Sequence, residues 1–213
     1  MTRQQIVLVG MPASGKSRVG RELAFALGLE HRDSDALIEE TTGRKIPEIF
    51  STDGEEYFRQ LEEEVIKQAL SYPGVISLGG GALTRKATRE RLRNCFVVYI
   101  KAELPELLRR SQGSDRPLLA GDAQARLEEL WEARKEYFPE VASLEVQTSS
   151  EPVIHVVEQI LREVGEDDER DDSSQHRYPL RRRYRKESGE GSPSAVLTRK
   201  YDEASHRLRT TRE

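Results

Sequence analysis

The stretch "QIVLVGMPASGKS", residues 5–17, decides the fold. Its first part is an apolar run that ends in Gly10, which is typical of a buried strand. Its second part fits the pattern G-x-x-x-x-G-K-[ST], and residues 15–27 then place Val19, Leu23 and Leu27 on one face of a helix. A strand, a glycine-rich turn and a helix in this order predict a loop that binds phosphate.

This loop would bind phosphate mainly through its backbone. Gly10 and Gly15 let the chain curl so that successive N–H groups point inward, and the helix N-terminus adds its partial positive charge. Lys16 would reach the terminal phosphates, and the hydroxyl of Ser17 would ligate Mg²⁺. The motif indicates a nucleoside triphosphate with magnesium but does not identify the phosphate acceptor. The residues that we expect to bind the nucleotide here are Gly10, Ala13, Ser14, Gly15, Lys16 and Ser17.

Beyond the loop, short apolar runs alternate with helical patterns. Strands are predicted over residues 5–10, 74–81, 95–100 and 143–148. Helices are predicted over residues 15–27, 54–70, 123–138 and 151–164, and a further one begins directly after residue 35. Strands that alternate with helices predict an α/β fold whose parallel sheet is covered on both faces.

Two aspartates stand two positions apart in "DSD", residues 33–35. If this segment is an extended strand beside the phosphate loop, Asp33 and Asp35 lie on the same side and both meet the nucleotide. One would then hold Mg²⁺, and the other would accept a hydroxyl proton as general base. A helix cap formed by Asp33 or Ser34 explains the pattern equally well.

Two further motifs precede the middle of the chain. Arg59 and Glu62 stand three positions apart on a predicted helix, for which an exposed ion pair is the ordinary interpretation. Residues 79–81 are three consecutive glycines at the end of a strand. We interpret them as a backbone that passes close to a ligand, because a plain turn needs fewer glycines.

The segment "RRSQGSDRPLLAGD", residues 109–122, is rich in turn-forming residues between two helices and predicts a mobile lid. Arg116 stands in its middle, from where it would reach the transferring phosphoryl group when the lid closes. An ordinary exposed arginine is the alternative. Arg134 lies near the end of the next predicted helix, where basic residues are common for electrostatic reasons.

Taken in order, the motifs GMPASGKS, DSD, FRQLE, LGGGA, RPLL and RKEYFPEVA resemble the shikimate kinase family over about residues 4–164. The resemblance implies a P-loop kinase fold of the nucleoside-monophosphate-kinase type, with a five-stranded parallel sheet flanked by helices and a lid. It also implies a substrate-binding helical part near residues 33–61. The implied reaction is transfer of the ATP γ-phosphate to the 3-hydroxyl of shikimate, on the route to chorismate and the aromatic amino acids.

The resemblance further implies a role for individual residues. On the nucleotide side, Ser17 and Asp33 match the magnesium site, Lys16 and Arg116 match groups at the transferred phosphate, and Arg110 matches a residue that packs on adenine. On the acceptor side, the implied shikimate-binding residues are Asp35, Arg59, Gly79, Gly80, Gly81 and Arg134. Of these, the aspartate would activate the attacking hydroxyl, and the two arginines would clamp the carboxylate.

Two other functions stay open at this stage. The first is another small-molecule P-loop kinase, which would act on gluconate or on a nucleotide. A nucleotide kinase should carry more arginines for a second phosphate, and the DSD and GGG pair argues against it. The second is a scaffold that binds nucleotide without turnover. Its signature would be the loss of Lys16, Asp35 or Arg116, and all three are present.

Composition sets the remaining expectations. The chain has 213 residues and a net charge of −4, which does not fit a dedicated nucleic-acid binder. Its single cysteine, Cys95, fits a buried strand position in a reducing compartment. We expect a cytoplasmic monomer with no signal peptide and no membrane span. Residues 1–165 would form the kinase domain, and the charged residues 166–213 would form a mostly disordered tail. This tail is either a solvated, dispensable extension or a contact to anionic surfaces or to a partner enzyme.

Overall fold

The computed structural model describes residues 5–111, 123–148 and 152–170. The strands are β1 (Gln5–Val9), β2 (His31–Asp33), β3 (Gly74–Ser77), β4 (Phe96–Lys101) and β5 (Leu144–Gln147). The helices are α1 (Lys16–Leu27), α2 (Ser34–Thr42), α3 (Ile46–Ala69), α4 (Lys86–Leu92), α5 (Leu104–Ser111), α6 (Ala123–Glu132), α7 (Tyr137–Val141) and α8 (Val153–Arg170), with a 3₁₀ helix at Ala82–Thr84.

The strands form one parallel sheet in the order β2-β3-β1-β4-β5. The five-stranded parallel sheet flanked by helices is therefore confirmed. β1 lies in the middle of the sheet, between β3 and β4. The chain runs from β1 to the edge strand β2 and then to β3, and it crosses to the other side of β1 to form β4 and β5. In such sheets ligands bind beyond the carboxyl ends of the strands, at the point where the strand order reverses. The phosphate loop leaves β1 at this point.

Both faces of the sheet are buried. In β1, Ile6 and Leu8 pack into one apolar cluster with α1 and α8, whereas Val7 and Val9 pack into another with residues of α3, α6 and α7. Such two-sided burial explains why the strands read as continuous apolar runs rather than as alternating ones.

A third and smaller core lies under α2 and α3, and contains Ile38, Ile49, Phe58 and Val65. This core packs against α3, which is bent. The bend lies at Gly54, where φ is 84° and ψ is 171°. A positive φ of this kind strains other residues, so glycine is the residue that permits the bend. The helix predicted from residue 54 thus continues a shorter segment that starts at Ile46.

Two other predicted boundaries differ from the structure. The single helix predicted over residues 123–138 is divided into α6 and α7. Pro139 explains the break, because proline has no N–H and its ring would clash with the carbonyl of Lys135 in a continuous helix. α8 extends to Arg170, beyond the predicted end at residue 164. Of the helices in the described ranges, none combines the length and the apolar composition needed to cross a bilayer.

Cys95 is buried, but it lies in the bend directly before β4 rather than within the strand. Burial raises the pKa of its thiol to about 11. A thiol with so high a pKa stays protonated and unreactive at neutral pH, which fits a packing role.

Candidate functional site

The phosphate loop has the backbone geometry that its glycines predict. Gly10 and Gly15 have φ values of 151° and 96°, and a side chain at Gly10 would collide with the carbonyl oxygen of Ile100. Ala13 also adopts a left-handed conformation, with φ 65°. This conformation is costly for a residue with a side chain, and strain of this kind is common in loops shaped for a ligand.

The side chain of Lys16 folds back onto this loop. Its Nζ donates to the carbonyl oxygens of Gly10 and Met11, at 3.0 and 2.9 Å. Ser14 is fully buried, and within the described ranges its Oγ has no hydrogen-bond partner. A buried cation, a buried hydroxyl and a helix N-terminus together fit a phosphate group, since each offers a donor or a positive charge.

Ser17 and Asp33 meet at the start of α1. The Ser17 Oγ donates to Asp33 Oδ2 at 2.6 Å. A hydroxyl beside a carboxylate fits Mg²⁺, which prefers oxygen ligands and usually takes one or two carboxylates together with phosphate oxygens and water. In the described part of the chain, no cluster of three or more histidine, cysteine or acidic side chains could hold a metal by itself. The pair therefore fits a metal that arrives with a nucleotide.

The extended arrangement considered for the two aspartates is wrong. β2 ends at Asp33, and Asp35 already lies in the first turn of α2. The other Asp33 oxygen, Oδ1, accepts a hydrogen bond from the backbone N–H of Asp35 at 3.1 Å, so Asp33 caps this helix. β2 is also separated from β1 by β3. The aspartates are brought to the site by a strand-to-helix turn, not by the two-residue repeat of a strand.

The glycine run, residues 79–81, is packed by charged side chains. A Cβ at Gly79 would lie 2.5 Å from Asp35 Oδ1 and 2.7 Å from Glu62 Oε1, and one at Gly81 would lie 2.5 Å from Arg59 Nη1. The prediction attributed the glycines to ligand approach. The structure adds a direct reason, because the space beside them is already taken by side chains from α2 and α3.

The middle glycine joins the two sides of the site. A Cβ at Gly80 would lie 3.0 Å from the ring of Pro12 in the phosphate loop. The Gly80 carbonyl accepts a hydrogen bond from Arg134 Nη1 at 3.0 Å. Arg134 comes from the turn between α6 and α7 rather than from a helix end, and it is buried. The glycine run therefore lies between the phosphate loop and a group of buried charges.

Arg59 and Glu62 form a buried ion pair, so the expectation of an exposed pair is wrong. Arg59 Nη1 lies 2.7 Å from Glu62 Oε2, and the two side chains are only 6% and 2% exposed. Burial raises the pKa of Glu62 to about 7, although the neighbouring Arg59 opposes this shift. Within the described ranges Glu62 Oε1 has no hydrogen-bond partner. The sequence carries a signal for this burial, because Phe58, Glu62 and Val65 share one helix face.

Arg134 and Arg59 are close enough to influence each other. Burial and, to a smaller extent, the positive charge of Arg59 together lower the pKa of Arg134 to about 10, although Glu62 and Glu55 oppose this shift. Two buried guanidinium groups that repel each other form a site that an anion would stabilise. Their planar donors suit a carboxylate.

A cleft of about 270 Å³ lies on the other side of the phosphate loop, lined by residues that include Ser14, Gly15, Arg18 and Val153. Arg110 borders it and donates to the Ser14 carbonyl at 3.2 Å and to Thr148 Oγ1 at 3.1 Å. Arg116 and residues 112–122 of the predicted lid lie outside the described residues.

Comparison with known proteins identifies the family of this chain. The family model described as shikimate kinase matches residues 12–165. A shikimate kinase from Rhodococcus erythropolis is 44% identical over 162 residues, which cover 75% of this chain and 96% of that protein. The solved shikimate kinase from Acinetobacter baumannii in complex with shikimate superposes with a TM-score of 0.74 at 35% identity, over 76% of this chain and 93% of the other.

A gluconokinase from Sinorhizobium meliloti shares the fold alone, with a TM-score of 0.56 at 20% identity over 80% of this chain and 97% of the other. The predicted P-loop kinase fold is thus confirmed by structures from more than one kinase family. Sequence similarity separates these families. The matching family model describes shikimate kinases, and the relatives from Rhodococcus erythropolis and Corynebacterium efficiens, at 44% and 43% identity, are shikimate kinases. The chain belongs to the shikimate kinase family.

Proposed function

We propose that this protein transfers the γ-phosphate of ATP to the 3-hydroxyl of shikimate, giving ADP and shikimate 3-phosphate for aromatic amino-acid biosynthesis. The observation that carries the proposal is the pair of buried guanidinium groups, Arg59 and Arg134, beside the glycine run and next to the phosphate loop. Shikimate has one carboxylate for these arginines and three hydroxyls, one of which must face the phosphate.

The nucleotide side positions the donor. The backbone of residues 10–15, with Lys16, binds the phosphates, and the cleft beside Arg110 takes the adenine. Ser17 and Asp33 would hold Mg²⁺, which would neutralise charge on the phosphate oxygens. Arg116 remains a residue proposed from the sequence for the transferring phosphoryl group.

The acceptor side positions the hydroxyl. Arg59 and Arg134 bind the shikimate carboxylate, and the backbone at Gly80 borders the ring of the substrate. Asp35 accepts a hydrogen bond from the reacting hydroxyl and takes its proton as the oxygen attacks the γ-phosphorus. Phosphoryl transfer depends on positioning and charge stabilisation more than on covalent chemistry, so these contacts are sufficient for the proposed reaction.

Release of ADP from Mg-ATP tests this proposal. We expect release with shikimate and none above background with gluconate or a nucleoside monophosphate. Turnover of gluconate or a nucleotide, with none of shikimate, would assign the protein to another small-molecule kinase. Nucleotide binding without turnover of any acceptor would favour the scaffold.

We also propose the division into a kinase domain, residues 1–165, and a charged C-terminal tail, residues 166–213, in a cytoplasmic monomer. The family match ends at residue 165, which supports this boundary, although α8 continues to Arg170. A variant that ends after Arg170 should keep full turnover and elute as a monomer in size-exclusion chromatography. Loss of turnover would show that the tail contributes to the enzyme.

A further inference from the structure

Arg89 occupies an unusual position behind the site. It lies on α4, and its side chain is only 15% exposed although it forms no part of the proposed substrate contacts. Its Nη1 donates to the Leu83 carbonyl at 2.6 Å and to the Thr84 carbonyl at 3.4 Å. Leu83 and Thr84 belong to the 3₁₀ helix that directly follows the glycine run.

The other edge of the same guanidinium faces α7. The Nε of Arg89 lies 2.9 Å from Glu140 Oε2, and its Cζ lies 4.4 Å from the centre of the Tyr137 ring. Both residues belong to α7, which begins three positions after Arg134. One side chain therefore contacts the segment behind Gly80 and the segment behind Arg134 at the same time.

These two segments also meet at the site itself, through the hydrogen bond from Arg134 Nη1 to the Gly80 carbonyl at 3.0 Å. Arg89 joins the same two segments a second time, and its contacts combine carbonyl acceptors, a carboxylate and an aromatic face around one planar group.

We propose that Arg89 is a positioning residue that sets the separation between the glycine run and Arg134, and thereby the geometry of the carboxylate-binding site. This inference rests on the proposed function of Arg134 in binding shikimate. Arginine suits the task because its flat fork can donate in two directions while it stacks on a ring, whereas lysine offers a single point charge.

The test compares Arg89→Met with Arg91→Met. Arg91 is a matched control on the same helix, since its Nη1 forms an ion pair with Glu63 at 3.0 Å that joins α4 to α3 rather than to α7. We expect Arg89→Met to raise the KM for shikimate about tenfold while the KM for ATP changes less than about twofold. Arg91→Met should change neither, and Arg89→Lys should restore only part of the loss.

A second measurement does not depend on turnover. Amide hydrogen exchange of the ligand-free protein reports local opening. In Arg89→Met, exchange should accelerate at Tyr137 and Ala142, whose N–H groups bond to the carbonyls of Arg134 and Phe138. In Arg91→Met it should not.

The outcomes separate the two ideas. Equal increases in both KM values, or identical behaviour of the two methionine variants, would overturn the role of Arg89. If the wild-type protein fails to phosphorylate shikimate, the proposed function fails. In that case the exchange measurement alone would test whether Arg89 stabilises the contact between α4 and α7.

Discussion

The two halves of the site are built in different ways. The nucleotide half consists of residues 10–17 with Asp33. The acceptor half consists of Asp35, Arg59, Glu62, residues 79–81 and Arg134. The nucleotide half is nearly contiguous, and its cation Lys16 is held by two carbonyls of its own loop. The acceptor half collects charged groups from α2, α3 and the turn after α6, and buries most of them.

This difference has an energetic consequence. Backbone N–H groups at a helix N-terminus face a ligand with little loss of stability, because they are unsatisfied within the helix in any case. Buried charges are costly unless they are paired, and even a pair often stabilises less than apolar residues of the same volume. The acceptor half is therefore the part where binding and stability should conflict.

The largest effect is expected in the nucleotide half, from Lys16→Met. This change removes the cation from the terminal phosphates, so turnover should fall about 10⁴-fold. Shikimate affinity, followed by the fluorescence of the single tryptophan Trp131, should stay near normal because Arg59 and Arg134 are untouched. Lys67→Met, at an exposed ion pair with Glu64, is the control. A comparable loss of shikimate affinity would mean that the two halves do not act separately.

In the acceptor half, Asp35→Asn keeps the shape of the side chain but removes the proposed base. We expect kcat to fall about 10³-fold while the KM for ATP is unchanged. Asp53→Asn, which alters an ion pair with Arg44 away from the site, should have no such effect. Near-normal turnover of Asp35→Asn would reject the assigned base.

The conflict between binding and stability is tested at Arg59. Arg59→Met leaves Glu62 buried without its partner, so the free energy of unfolding should fall by about 3 kcal/mol. The double variant Arg59→Met with Glu62→Leu should recover most of this loss, because it replaces the buried pair by apolar groups. It should not recover shikimate binding. If the double variant binds shikimate, the pair serves packing rather than recognition.

The nucleotide half can be predicted from the sequence more completely than the acceptor half. The strand, the glycine turn and the helix of the phosphate loop are predictable from the sequence because their signal is contiguous, and the structure contains all three. For the two aspartates, the sequence leaves an extended strand and a helix cap equally open, because no periodicity marks the change from strand to helix at Ser34. The structure shows the cap, which Asp33 forms. Only the pairing of β2 with β3 shows that this turn lies beside the glycine run.

The buried charges show where prediction fails for a physical reason. The helix face that Glu62 shares with Phe58 and Val65 is a sequence signal for burial of the pair, but it is a weak one. The space for the pair comes from residues 79–81, which are distant in sequence and lie beside it only in the folded chain. The break between α6 and α7 was missed although Pro139 marks it, because the apolar period continues across it. Tertiary contacts decide the burial of the pair, whereas the backbone of Pro139 decides the break between the helices.

The smallest effect expected is a change in the pH dependence of stability in Glu62→Gln. Burial raises the pKa of Glu62 from 4.5 to about 7, so the folded protein binds this proton more tightly than the unfolded chain does. The stabilising contribution of the Glu62 proton is complete below the pKa of Glu62 in the unfolded chain. It is lost as pH rises through the pKa of Glu62 in the folded protein. The free energy of unfolding should therefore fall between these two pH values. His31 acts in the opposite direction, because burial lowers its pKa from 6.5.

Because His31 is present in both proteins, the difference between wild type and Glu62→Gln isolates the glutamate. Urea unfolding at about pH 5 and about pH 8 should show a steeper loss of stability in the wild type than in the variant. Parallel pH profiles would mean that Glu62 is ionised throughout and that Arg59 fully compensates its burial. In that case the acceptor half would cost the ligand-free protein no more stability than the nucleotide half does. The two halves would then differ only in how far apart their residues lie in the sequence.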